Sequence, residues 1–180
     1  RRGFANNYEG QIPETVLLYA LAPIQQAAKI FGEPGWLDQV GSCIEHYLAR
    51  DDFLKRETLT HFLGYELDAL FELGLAERTT KTLEWLAASL SQDGMLPARA
   101  GAAWACLPGQ AQIALCWLKA GMFEPAKAAL GWMERQQTAS GGFEGSVGPG
   151  ADYFPGREIS WSVKFYLDAQ RLFVARFMEH

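Results

Sequence analysis

Apolar residues recur every three or four positions along most of the chain, which is the spacing typical of amphipathic α-helices. The first such stretch runs from Pro13 to about Phe31. Pro23 lies inside it, and we expect a kink there because proline removes a helical hydrogen bond. No segment shows the strict alternation of a half-buried strand. The sequence therefore predicts no strand and seven helices, over about residues 13–31, 36–49, 57–73, 76–90, 110–119, 124–137 and 158–177.

The helical pattern repeats along the chain, which is typical of stacked helical hairpins. A weaker copy, at an offset of 42 residues, relates Gly32 to Gly74 and Asp51 to Asp93. Gly3-Phe4 resembles Gly142-Phe143 and reads as the end of a still earlier copy. The best copy has an offset of 47 residues and pairs Gly74 with Gly121, Glu77 with Glu124, Leu83 with Leu130, Trp85 with Trp132, Leu86 with Met133, and Gly94 with Gly141.

Short and long connections alternate between the predicted helices. The short turns lie at Gly32, Gly74 and Gly121, and the long loops cover about residues 1–12, 51–57, 93–108 and 139–157. Because consecutive helices run antiparallel, all long loops should lie on one face of the molecule. Binding sites are usually found on long loops of a rigid scaffold, so we expect the functional site on this long-loop face.

The helices fall into two kinds. Those that follow a long loop, starting near Glu14, Glu57, Gly109 and Glu158, are apolar nearly all round, which indicates a layer covered on both sides. Those that follow a short turn carry charge on one face, which indicates an outer layer. The fold class that we predict is all-α: an incomplete α/α toroid, an arc of antiparallel hairpins with inner and outer layers.

Length and composition set further limits. A chain of 180 residues suits one domain over residues 1–180. It starts Arg1-Arg2-Gly3-Phe4, without an initiator Met or a signal peptide, so we expect a piece of a longer polypeptide. Fusion to, or association with, another domain is left open. The net charge of −5 argues against a nucleic-acid partner, and no apolar run reaches the roughly 18 residues of a membrane span.

The three cysteines, Cys43, Cys106 and Cys116, are too widely spaced for a disulfide framework or a CxxC metal site. We expect buried thiols in a reducing compartment, hence a cytoplasmic protein. The sequence predicts no cofactor and no metal site.

The segment after the sixth helix resembles the repeat of terpenoid cyclases and protein prenyltransferases. Its matching residues are Gln136, Gly141, Gly142, Phe143, Gly145, Asp152 and Tyr153. The resemblance implies an α/α toroid related to these and to the six-hairpin carbohydrate-active superfamilies. The chain departs from the zinc-dependent prenyltransferases, since neither Cys106 nor Cys116 has a neighbouring His. Squalene-type cyclases carry an Asp-rich acid motif, which Asp51-Asp52 does not supply.

Two further segments resemble α/α-toroid proteins associated with bacterial surface-polysaccharide pathways. They are THFLGYELDAL, residues 60–70, and CLPGQAQIALCWL, residues 106–118. This resemblance implies a polysaccharide or its precursor as the ligand.

Carboxylates recur where the predicted inner helices begin, at Glu14, Glu57 and Glu158. They either stabilise the positive helix N-termini or form a ring of acids able to act as acid and base and to grip sugar hydroxyls. We take Glu57, Glu158 and Asp152 as candidate catalytic acids and Glu14 as a binding residue.

His61 lies one turn before Tyr65, so the two share one face of a predicted inner helix. His61 is either a hydrogen-bonded core residue or a proton carrier for the candidate acids. Lys164, with Asp168 one turn on, is either a buried structural ion pair or part of the site.

Aromatic, amide and charged residues crowd the last two long loops and the helices after them. Aromatic rings stack on sugar rings, and amides and charged groups bind hydroxyls, although the same rings also serve to fill the hairpin tops. The further candidate binding residues are Trp104, Gln110, Gln112, Tyr153, Arg157 and Trp161.

Three hypotheses follow from the sequence. The first is a carbohydrate-active or carbohydrate-binding protein that works on a bacterial polysaccharide or its precursor, with its ligand an oligosaccharide. The second is an isoprenoid-handling enzyme of the prenyltransferase or cyclase kind, and the third is a non-catalytic helical-repeat scaffold that binds a protein. An open, polar, aromatic-rimmed groove with carboxylates favours the first, a closed apolar pocket the second, and a flat surface without convergent acids the third.

Overall fold

The computed structural model describes residues 12–178, with side chains through residue 176. The predicted loop over residues 1–12 and the resemblance at Gly3-Phe4 therefore lie almost wholly outside the described residues. Seven α-helices are present in the described part: α1 Leu21–Phe31, α2 Pro34–Leu48, α3 Thr60–Glu72, α4 Thr80–Ala88, α5 Leu107–Lys119, α6 Phe123–Glu134 and α7 Ser160–Met178. The prediction of an all-α fold is confirmed, while the toroid arrangement stays a prediction.

The first predicted helix consists of two parts of different type. Residues Glu14–Ala20 form a 3-10 helix, and the α-helical geometry of α1 begins at Leu21. Pro23 lies in the first turn of α1, where its missing N–H removes no internal hydrogen bond. A second 3-10 segment, Ala76–Thr79, precedes α4 in the same way. We predicted a kink at Pro23. The structure instead changes from a 3-10 helix to an α-helix two residues earlier, at Leu21.

The three short turns share one geometry. Gly32, Gly74 and Gly121 all have a positive φ, between 68° and 78°, which favours glycine. After each glycine, the next backbone N–H donates to the carbonyl five residues before it, at 2.8 to 2.9 Å. This is the bond that closes a helix C-terminus in the Schellman motif. The repeated glycines therefore end α1, α3 and α5 in the same way.

Helix α5 forms the centre of the core. It packs against α3 on one side, α7 on the other, and α6 and α4 on the outside. Every residue of α5 from Leu107 to Leu118 is buried, and α3 is buried over most of its length. The prediction that these two helices are covered on both sides is thus confirmed.

The first and last inner helices, α1 and α7, differ from this prediction. On α7, Leu167 and Val174 are 59% and 56% exposed, and α1 buries only Leu21, Ala22 and Ala28. We predicted that α1 and α7 are covered on both sides, and this prediction is wrong. Among the described residues, each of these helices has another inner helix on one side only.

The last two long loops are joined by hydrogen bonds, and here the prediction of no strand is wrong. Strand β1, Ala105–Cys106, pairs antiparallel with β2, Ser146–Val147. The N–H of Thr60 also donates to Ala98 O at 2.7 Å, which ties the start of α3 to the loop before β1. Strands of two residues are too short to show an alternating pattern, so tertiary pairing alone reveals them.

Two of the three cysteines match their prediction. Cys106 and Cys116 are buried, whereas Cys43 is exposed, so the prediction of three buried thiols is wrong at Cys43. Cys43 lies on α2, which buries only Val40, because this helix has α1 and the 3-10 helix as its neighbours.

None of the helices described over residues 12–178 combines the length and the hydrophobicity of a membrane span.

Candidate functional site

A cleft of about 430 Å³ opens between the start of the first 3-10 helix and the loop that precedes α3. We call it the loop cleft. It is bounded by Ile12, Pro13 and Thr58, and five charged side chains line it: Glu14, Arg50, Asp52, Lys55 and Glu57. The structure thus brings together Glu14 and Glu57, two candidate acids that are far apart in the sequence.

An ion-pair network fixes one side of the loop cleft. Arg50 Nη1 lies 2.8 Å from Glu14 Oε2, and Arg50 Nε lies 2.9 Å from Asp52 Oδ1. The hydrogen bond from Arg50 lowers the pKa of Asp52, so this carboxylate stays ionised. Glu57 lines the same cleft, is exposed, and takes no part in this network.

His61, in the first turn of α3, is only 4% exposed. Its Nδ1 lies 2.5 Å from Gln112 Oε1, a hydrogen bond between α3 and α5. Burial lowers the pKa of His61 to about 4, although the bond to Gln112 acts in the opposite direction. At neutral pH the imidazole is uncharged, so it does not act there as a cationic acid.

His61 belongs to a group of rings that we call the aromatic cluster: Tyr19, His61, Tyr65, Tyr153, Trp161 and Phe165. The His61 ring centre lies 5.0 Å from that of Tyr65 and 5.5 Å from that of Tyr153. The indole N–H of Trp161 donates to the Tyr153 hydroxyl at 3.1 Å. Tyr65 and Trp161 are half-buried and Tyr19 is exposed, so part of the cluster faces solvent. Burial raises the pKa of the Tyr153 phenol.

Gln110 and Trp104 lie inside the protein, where they hold the loop before α5. The Gln110 side chain accepts the N–H of Leu96 at 2.9 Å and donates to Gly94 O and Ala129 O at 3.1 and 2.9 Å. Trp104 is buried, with the guanidinium carbon of Arg99 5.8 Å from its ring centre. Both residues order the loop from within.

The remaining candidate acids lie in other surroundings. Asp152 pairs with Arg99 at 3.3 Å, and the Glu158 carboxylate accepts the hydroxyls of Thr138 and Ser140, both at 2.6 Å. These bonds, that of Ser140 first, lower the pKa of Glu158. Among the candidate acids, the structure therefore groups only Glu14 and Glu57 in the loop cleft.

Two basic candidates lie on the surface. Arg157 is exposed. Lys164 Nζ is 2.9 Å from Asp168 Oδ2 and 4.0 Å from the ring centre of Phe165. The two side chains of this ion pair are 59% and 45% exposed. The structure therefore corrects the interpretation of a buried pair: one turn of a terminal helix brings the residues together without covering them.

Glu66, a buried acid of α3, was not among the predicted site residues. The Thr15 hydroxyl donates to its carboxyl group, and so does the N–H of Leu54, at 2.9 Å. Burial raises the pKa of Glu66 to about 7. The signal was available, since Glu66 follows Leu63 by three residues and precedes Leu70 by four, on a face that is otherwise apolar.

Within residues 12–178, no three His, Cys, Asp or Glu side chains are grouped as a metal ion would require. No protein-family model, curated protein or solved structure matches the chain. The resemblance to toroid enzymes and to polysaccharide-pathway proteins therefore stays a prediction, and the side chains themselves carry the functional argument.

Proposed function

We propose that the protein binds an oligosaccharide, a piece of a bacterial polysaccharide or its precursor, on the long-loop face. The observation that carries this proposal is the loop cleft, an open space lined by three carboxylates and two basic side chains. Sugars present many hydroxyls, each of which donates and accepts hydrogen bonds. Carboxylates accept such bonds, and Arg and Lys donate them.

The aromatic cluster supports the same ligand class. Val16 lies two residues after Glu14 and packs against the buried group that includes Tyr153, so the cleft and the cluster are neighbours along the 3-10 helix. The exposed parts of Tyr19, Tyr65 and Trp161 offer flat apolar surface with polar edges. Such rings stack against the C–H faces of sugars while their polar atoms remain hydrogen-bonded.

The loop cleft does not suit an isoprenoid. A long apolar chain binds in an enclosed space lined by apolar side chains. Placing one in the loop cleft would strip water from Glu14, Arg50, Asp52, Lys55 and Glu57 without replacing their hydrogen bonds, which is unfavourable. The charge of the cleft therefore favours the polar ligand.

Replacing either of the two grouped carboxylates should weaken sugar binding. We expect wild type to bind members of an array of bacterial oligosaccharides, and we expect Glu57→Gln and Glu14→Gln to lower the affinity for the best of them about tenfold. Isothermal titration calorimetry gives the affinities, and release of reducing ends in the same mixtures reports hydrolysis. We expect Glu57→Gln to abolish any hydrolysis, because an amide replaces the acid or base.

Glu77→Gln is the matched control. Glu77 is an exposed acid beside the short turn at Gly74, on the opposite side from the long loops. Its replacement makes the same chemical change and should leave binding as in wild type. The proposal is wrong if wild type binds no oligosaccharide, or if Glu77→Gln weakens binding as much as Glu57→Gln does.

A further inference from the structure

A second cavity, of about 220 Å³, lies between α4 and the loop that leads to β1. Trp85 and Ser89 form its helix side, and Pro97, Arg99 and Gly101 form its loop side. We call it the Trp85 cavity. Gly101 has a φ of 76° with open space where a side chain would lie, so the loop turns here without filling the cavity.

Two arginines flank the Trp85 cavity. The guanidinium carbon of Arg56 lies 4.9 Å from the ring centre of Trp85, and Arg99 is part of the cavity wall. Arg99 pairs with Asp152, whereas Arg56 takes part in none of the ion pairs found among residues 12–178. An exposed guanidinium therefore lies over a ring that lines the cavity, and it forms no ion pair with the acids of residues 12–178.

The repeat supplies an internal comparison for Trp85. The equivalent residue one unit later, Trp132, is buried, and its indole N–H donates to Asp93 Oδ2 at 3.1 Å. Arg135 also donates to the backbone carbonyl of Asp93, at 2.7 Å. In that unit, Trp132 and Arg135 hold the loop that begins at Asp93. In the Trp85 unit, the ring is only half-buried and faces a cavity.

The segment of residues 55–58 lines the loop cleft and reaches the Trp85 ring through Arg56. Lys55, Glu57 and Thr58 line the loop cleft, whereas the Arg56 side chain reaches over Trp85. The N–H of Ala100 donates to Arg56 O at 2.9 Å, which fixes this segment against the cavity loop. An extended ligand that crosses this segment would therefore occupy both spaces.

We infer that the Trp85 cavity binds a sugar unit that carries an anionic group, next to the unit held in the loop cleft. This inference rests on the proposed function and adds the class of sugar. The part of the Trp85 indole that lines the cavity contacts the sugar. The planar guanidinium of Arg56, which lies over the ring, pairs with a carboxylate or phosphate through two parallel N–H bonds. The chain as a whole carries a net charge of −5, so an acidic ligand needs such local positive charge to bind.

Three probes of the same length test the inference by calorimetry at 0.15 M salt: a trimannuronate, a mannotriose that carries a 6-phosphate, and the neutral mannotriose. We expect at least one of the two acidic probes to bind about tenfold more tightly than mannotriose, and which one does identifies the anionic group as carboxylate or phosphate. Arg56→Gln should remove this preference, because Gln keeps hydrogen-bonding groups but loses the charge. Arg78→Gln, at an exposed arginine beside the short turn at Gly74, makes the same chemical change and should leave the preference intact.

The possible results separate this inference from the proposed function. Binding of mannotriose that is sensitive to Glu57→Gln, with no preference for either acidic probe, overturns the inference and keeps the function. Absence of binding to all three probes and to the oligosaccharide array overturns both. A preference for an acidic probe that survives Arg56→Gln also overturns the inference, because a positive charge other than that of Arg56 then binds the anionic group.

Discussion

Gly109→Ala is expected to destabilise the protein by about 3 kcal/mol, at the upper end of what overpacking costs. A Cβ at this position would lie 2.3 Å from Thr60 Oγ1 and 2.5 Å from the His61 backbone nitrogen. Because the second of these is main chain, α3 and α5 would have to move apart. The free energy of unfolding in urea, followed by circular dichroism, measures the effect.

Gly131→Ala is the control for this prediction. Gly131 lies inside α6, and a Cβ there would meet nothing within 4 Å. The change should stabilise the protein by up to about 1 kcal/mol, since alanine is the better helix former. If Gly109→Ala were as stable as wild type, α3 and α5 would not approach each other at this point.

Glu66→Gln is expected to remove a pH dependence of stability worth about 3 kcal/mol, since a tenfold change in proton affinity corresponds to about 1.4 kcal/mol. Folding raises the pKa of Glu66 from 4.5 to about 7, so between these values the folded protein binds more protons than the unfolded chain does. The stability that Glu66 contributes is therefore fully present below about pH 4.5 and is lost as the pH rises to about 7.

The measurement is the free energy of unfolding of wild type and variant between pH 4.5 and 8. As the pH rises, the wild type should lose stability relative to the variant. Gln can still bond to Thr15 and to the N–H of Leu54, and it carries no charge at any pH. Glu77→Gln, at an exposed position, should follow the wild-type curve. Parallel curves for wild type and Glu66→Gln would show that Glu66 is not buried as a proton-binding group.

Much of the fold follows from local signals in the sequence. The glycines at positions 32, 74 and 121 mark helix ends because a positive φ favours glycine, and this requirement does not depend on distant residues. The spacing of apolar residues located α3 and α5 for a similar reason, since both helices are buried over most of their length. Coverage of α1 and α7 was not predictable in this way, because it depends on which neighbours lie beside them.

The candidate site was less predictable, because it depends on contacts between distant segments. The acids at Glu14, Glu57 and Glu158 look alike in the sequence, yet only the first two meet in the loop cleft. Glu158 instead binds two hydroxyls of the preceding loop, Thr138 and Ser140. The position of Glu66 on an apolar helix face indicates its burial, but its partners Thr15 and Leu54 come from elsewhere in the chain.

Hydrogen–deuterium exchange with and without the tightest-binding oligosaccharide tests most directly whether the long-loop face is the binding face. We predict slower exchange in peptides covering residues 50–59 and 94–101, which border the loop cleft and the Trp85 cavity. Exchange at the short turns, over residues 32–35, 74–76 and 121–123, should not change, because these lie at the opposite ends of the helices. Protection at the short turns, with none in the two long loops, would contradict the account.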